Sequence, residues 1–115
     1  MQLDSVALRA VVVEAAPLLE GGLLQKVSQL TEHDLALSFR RPGVTRRLLL
    51  RLVPEDARLG LVQGALPPAR EPSAFTMLVR KHLQGKPLLS LLQPGLERAV
   101  HMHFEGWTLV LEIPG

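Results

Sequence analysis

The 115-residue chain has no cysteine, no tyrosine, one tryptophan and three phenylalanines. Without cysteine there can be no disulfide, no thiolate nucleophile and no cysteine-based zinc or iron–sulfur centre, which suits a reducing compartment. With so few rings, 25 leucines must fill the interior. No uncharged stretch approaches the roughly 20 residues of a membrane span, and Met1-Gln2-Leu3-Asp4 lacks the positive region that opens a secretory signal. A cytoplasmic protein without membrane contact is expected. Charge is close to balanced, with 13 Lys and Arg against 11 Asp and Glu, so composition alone does not mark a nucleic-acid binder. What is present, 47% hydrophobic and 21% charged residues, suits one compact domain and excludes intrinsic disorder; the length is too small for two cores.

Leu8, Val11, Val12, Ala15 and Leu19 follow helical spacing, with Asp4 or Ser5 as N-cap and Gly21-Gly22 as terminator. Pro17 is expected to kink or split the last turn. Two hairpin strands follow over Leu23–Leu30 and Leu35–Phe39, joined by the polar turn Thr31–Asp34. After Pro42-Gly43 a third strand places Leu48, Leu50 and Leu52 on one face and Arg47 and Arg51 on the other. A fourth is expected near Ala57–Val62. Gln63–Pro72, with three prolines and Gly64, is a connection. Ser73 caps a second helix ending near Gly85, with Phe75, Leu78, Val79 and Leu83 on one side and Arg80 and Lys81 facing away. Leu88–Gln93, Leu96–Phe104 and Trp107–Ile113 read as strands, the last two flanking the two-residue loop Glu105-Gly106. Runs of strands punctuated by single helices indicate an α+β domain with mainly antiparallel sheet.

Five arginines and no acid lie between Arg40 and Arg51. Guanidinium forks bind phosphate bidentately, so Arg40, Arg41, Arg46, Arg47 and Arg51 could hold an RNA or DNA backbone; a charged sheet margin that blocks strand pairing explains them equally well. Arg80 and Lys81 add to the patch only if the fold brings the second helix to it. His101 and His103 share a strand face, but no third ligand is evident and a metal site is not expected. No nucleophile elbow, phosphate-cradling glycine loop or paired carboxylates stand out, so neither an enzyme nor a cofactor is expected. Glu97-Arg98, after Pro94-Gly95, point to opposite faces if that segment is extended, so each needs a partner elsewhere; on the residues alone, Glu97 facing water and Arg98 paired with another carboxylate of the domain is the favoured reading.

Four stretches in unbroken order carry a resemblance: Leu19-Glu20-Gly21-Gly22, Arg47-Leu48-Leu49-Leu50, the segment Glu71–Gly85 with its Met77-Leu78-Val79-Arg80-Lys81-His82-Leu83 run, and Gln93–Arg98. Together they resemble the N-terminal domain of the NFACT family of ribosome-associated quality control factors, which includes RqcH, NEMF and proteins long labelled fibronectin-binding protein A. The resemblance implies an antiparallel β-sandwich flanked by two helices, similar to the N-terminal domain of formamidopyrimidine-type DNA glycosylases. It implies binding to large ribosomal subunits obstructed by peptidyl-tRNA, and recruitment of tRNA for C-terminal alanine tailing. The family's Asp-Arg pair associated with tRNA recruitment falls on Glu97 and Arg98, with Glu in place of Asp.

Family members continue beyond Ile113-Pro114-Gly115, so a single domain cut short at its C-terminal end is expected, with self-association through surface left uncovered. The resemblance leaves two other readings, a glycosylase or lyase-like DNA-binding domain and a fibronectin-binding adhesin. Against the first, Gln2-Leu3 stands where those enzymes expose an N-terminal proline; against the second, an export signal is missing.

Overall fold

The computed structural model describes residues 4–113. Helix α1 (Ser5–Leu19) begins where the Asp4 carboxylate accepts a hydrogen bond from Ala7 N at 2.7 Å. It buries Leu8, Val12, Ala15 and Leu19, a stripe at three- and four-residue spacing. Pro17 does not split it. The proline forgoes one intrahelical bond, and the helix continues to Leu19 because that side chain is fully buried. It stops at Gly21, whose φ of +85° suits only glycine. Gly22 is needed for a different reason: a Cβ there would lie 3.0 Å from Leu19 O and 3.2 Å from Phe39 Cβ.

Strands β1 (Leu23–Gln29), β2 (Asp34–Arg41), β3 (Val44–Arg51) and β4 (Arg58–Val62) form an antiparallel sheet in chain order. The expected alternation holds: Leu35 pairs with Leu50 and Leu37 with Leu48, all buried, while Ser38 pairs with Arg47 and Asp34 with Arg51 on the opposite face. A short 3-10 turn, Pro54–Asp56, links β3 to β4. From β4 at one edge, the chain crosses to β1 at the other. It is tied by Arg47 Nη1 donating to Gly64 O and by Arg70 N donating to Gln29 O. Ala36 and Ser38, on the face of β2 opposite the leucines, are buried as well.

Helix α2 (Ala74–Leu83) is capped by Ser73 as expected, its Oγ accepting from Thr76 N at 3.1 Å. Its orientation differs from the apolar stripe read in the sequence. Thr76, Val79 and Leu83 are buried, whereas Phe75 and Leu78 are 39% and 54% exposed. A polar anchor sets the rotation: the buried Gln29 Oε1 accepts from Thr76 Oγ1 at 2.5 Å and from Ser73 N at 3.2 Å. Leaving that amide oxygen unpaired in the interior would cost about 1–3 kcal/mol, comparable with what is lost by turning two apolar side chains partly outward.

Strands β5 (Ser90–Leu92), β6 (Ala99–Phe104) and β7 (Trp107–Glu112) make a second antiparallel sheet. β5 is shorter than the apolar run around it because the chain changes sheets there. Lys86 O and Leu88 N still bond to Leu24 N and Gly22 O, and Leu89 N turns to His103 O. The two sheets and α1 share one core, in which Leu37, Leu48, Val100, Met102 and Leu8 meet. The antiparallel α+β architecture with two α-helices is the one expected. Among the described residues, no helix is long and apolar enough to cross a membrane.

Candidate nucleic-acid interface

Glu97 and Arg98 lie in the bend ahead of β6, not in a strand, since β6 begins only at Ala99. The opposite-face argument for extended chain therefore does not apply to them. The loop is held instead by a buried amide. Gln93 Nε2 donates to Ser5 O at 3.0 Å and to Glu97 O at 2.6 Å, and Gln93 Oε1 accepts from Arg9 Nε at 2.7 Å. Arg9 also donates to Gly95 O. Glu97 N bonds to Pro94 O, and Arg98 O accepts from Ile113 N. The loop is thus fastened to the N-terminal turns of α1 and to the chain just after β7. Glu97 is exposed; Arg98 is half-buried, with its Nε sheltered from solvent.

The arginine run divides into two ends. Toward β4, Arg51 Nε meets Asp34 at 3.1 Å and its Nη1 meets Asp56 at 3.2 Å. Arg58 forks onto Asp56 with bonds of 3.0 and 2.7 Å. The Arg58 fork is the main cause holding the Asp56 carboxyl well below the usual carboxylate range, and the carboxylate in turn raises Arg58. At the β2–β3 turn the partners are different. Arg41 donates to Pro17 O and Leu18 O at 2.8 and 3.2 Å, filling carbonyls at the end of α1, a helix with no basic residue in its own last turn. Arg47 reaches Gly64 O at 3.3 Å, and Arg40 touches Thr45 Oγ1 only at 3.5 Å. The Arg46 side chain makes no hydrogen bond or ion pair among the described residues.

The second helix does not join this patch. α2 packs on β1, and Arg80, expected to face away, is half-buried with Nε and Nη2 both donating to Val27 O at 3.0 and 2.7 Å. That carbonyl belongs to an edge strand and would otherwise lack a donor, which draws the long side chain back over the sheet. Lys81 remains exposed. His101 and His103 meet edge-on at 5.8 Å, and His103 Nδ1 lies 3.0 Å from Thr108 Oγ1. No group of three or more metal-ligating side chains stands among the described residues. Gln2, at the position compared with the glycosylase proline, lies outside them, as do Pro114 and Gly115.

Sequence reasoning missed Arg9 and Gln93. The signal for Gln93 was a lone polar side chain closing an apolar run just before Pro94-Gly95. For Arg9 there was none, because an arginine on a helix ordinarily faces water.

What these features define is an α+β domain of two antiparallel sheets that carries a tethered Glu-Arg loop and an unneutralised arginine turn, one at either end of α1. The chain belongs to the NFACT family: the NFACT N-terminal and middle domains match it over residues 4–115. It is 34% identical over 125 residues to the Rqc2 homolog RqcH of Streptococcus pneumoniae serotype 2, covering 100% of this chain and 22% of that protein. It is 30% identical over 101 residues to the mouse ribosome quality control complex subunit NEMF, covering 88% of this chain and 9% of that protein. The solved N-terminal domain of the fibronectin-binding protein PavA from Streptococcus pneumoniae superposes with a TM-score of 0.86 at 33% identity. That match spans 98% of this chain and 48% of that one. The chain therefore spans about a fifth of the length of its bacterial relative.

Proposed function

We propose that this chain is a non-enzymatic, cytoplasmic RNA-binding module of a ribosome-associated quality control factor, which helps position tRNA on large ribosomal subunits obstructed by peptidyl-tRNA for C-terminal alanine tailing. Glu97 and Arg98 are its tRNA contacts. The observation that carries the reading is the tether around Gln93: a loop fixed at both ends to α1 and to the chain after β7 presents its acid and arginine in one geometry, at little entropic cost on binding. Family membership over nearly the whole chain supports the same role. In this reading Arg98 donates to phosphate or base edge, and Glu97 accepts from RNA or orients Arg98.

The test is co-sedimentation with large subunits together with tRNA binding, comparing wild type, Arg98→Ala and Arg98→Lys. Loss of tRNA binding in Arg98→Ala with a nearly unchanged thermal midpoint is expected. Normal binding with a large fall in the midpoint would make Arg98 a structural residue. Retention on fibronectin, or borohydride trapping on abasic DNA, would instead favour an adhesin or a lyase.

A further inference from the structure

We infer that the β2–β3 turn is a second RNA contact, taking the phosphodiester backbone through Arg40, Arg46 and Arg47 at the far end of α1 from Glu97 and Arg98. This rests on the RNA-binding reading above and adds to it a surface and a geometry.

The arginines of this turn are supplied with charge and not with counter-charge. Arg40, Arg46 and Arg47 form no ion pair with a described residue, in contrast to Arg51 and Arg58 only a few residues away. Two adjoining hollows, of about 560 and 290 Å³, flank the turn; Arg46 and Leu18 line both, Arg41 the first, and Thr45 and Arg47 the second. No acidic side chain lines either. An anion settling there meets guanidinium forks and a hydroxyl without repulsion.

The alternation of β3 then selects the kind of anion. Arg46 shares the face of Leu48 and Leu50, whereas Arg47 shares the opposite face, where Arg40 stands across from Thr45. Arg46 and Arg47 both reach the second hollow while Arg40 lines neither, so the three forks are spread around the sheet's end. They fit a chain of phosphates passing over that end, each fork meeting a different one. Helix α1 fixes where this contact lies. Arg41 grips the carbonyls of Pro17 and Leu18 at its C-terminal end, and Ser5 and Arg9 hold the Glu97 loop near its N-terminal end. Fifteen helical residues span roughly 22 Å, so one folded RNA could touch both places without bending the protein.

The experiment is a titration of unfractionated tRNA between 50 and 200 mM salt, using wild type, Arg40→Ala, Arg46→Ala, Arg47→Ala, their triple combination, Arg51→Ala and Arg98→Ala. Each phosphate contact removed should flatten the slope of log affinity against log salt by about one, and the triple variant by about three. Circular dichroism and thermal midpoints should stay near wild type in the turn variants, and Arg51→Ala should keep the wild-type slope. Wild-type slopes in the triple variant would overturn the inference alone, leaving the reading above intact if Arg98→Ala still loses binding. Equal competition by polyglutamate would overturn it in favour of an acidic protein partner. Absence of tRNA binding by wild type would remove both.

Discussion

On β3, a few residues separate two groups of arginines that a sequence presents as one. Arg51, with Arg58 beside it, is taken up by Asp34 and Asp56, so those charges serve the fold. Arg40, Arg46 and Arg47 meet only a hydroxyl, a carbonyl or nothing, and Arg41 sits between the two cases because it closes a helix end. The difference teaches that a cluster of like charge is divided by topology. The carboxylates that neutralise one end come from the start of β2 and from the β3–β4 turn, and neither element reaches the other end.

The largest test treats both ends as one object. Leu48 is fully buried on β3 between Arg47 and Arg51. Leu48→Ala should cost about 2–5 kcal/mol, and urea unfolding should show the chain losing both regions in one transition. Separate transitions would mean the ends are independent units.

Smaller changes should separate the two ends. Arg51→Ala leaves a partly buried Asp34 without its fork, and Arg41→Ala leaves two helix carbonyls bare. Each should lower stability by about 1 kcal/mol, seen as a thermal midpoint several degrees lower. Of the two, only Arg41→Ala should also disturb the arginine turn and weaken RNA binding.

Acid acts on one end alone. Because folding lowers the Asp56 pKa through the Arg58 fork, its stabilising contribution is complete above about pH 4 and is lost as pH falls through and below the ordinary carboxylate range. The midpoint difference between wild type and Asp56→Asn should therefore shrink toward pH 2, while the turn guanidiniums keep their charge throughout. A difference that stays undiminished from about pH 5 down to pH 2 would show that Asp56 acts through something other than its charge. The smallest effect belongs to Arg40→Ala, an exposed residue with one long hydrogen bond, which should shift stability by no more than about 0.5 kcal/mol.

Most of the secondary structure was legible because leucine alternation and capping residues are local signals: Asp4, Ser73, Pro42-Gly43 and Glu105-Gly106 each act within a few residues. The parts that were not legible depend on partners far along the chain. The rotation of α2 answers to Gln29, 44 residues before Ser73. The short β5 reflects a change of partner from Gly22 to His103. At the site, Glu97 and Arg98 could be singled out by resemblance, but the tether from Gln93 to Ser5 spans 88 residues and leaves no local mark. The same holds for Arg41 and Arg80, whose carbonyl partners carry no sequence identity at all.

Trp107 is half-exposed just past the β6–β7 loop, its ring stacked on His82 of α2 at 4.0 Å between centroids. Since it is the sole tryptophan and tyrosine is absent, the ultraviolet emission of the whole chain originates at the seam between the second helix and the three-stranded sheet. A spectrometer can thus follow the parting of that seam, or its covering by another molecule, without any label attached.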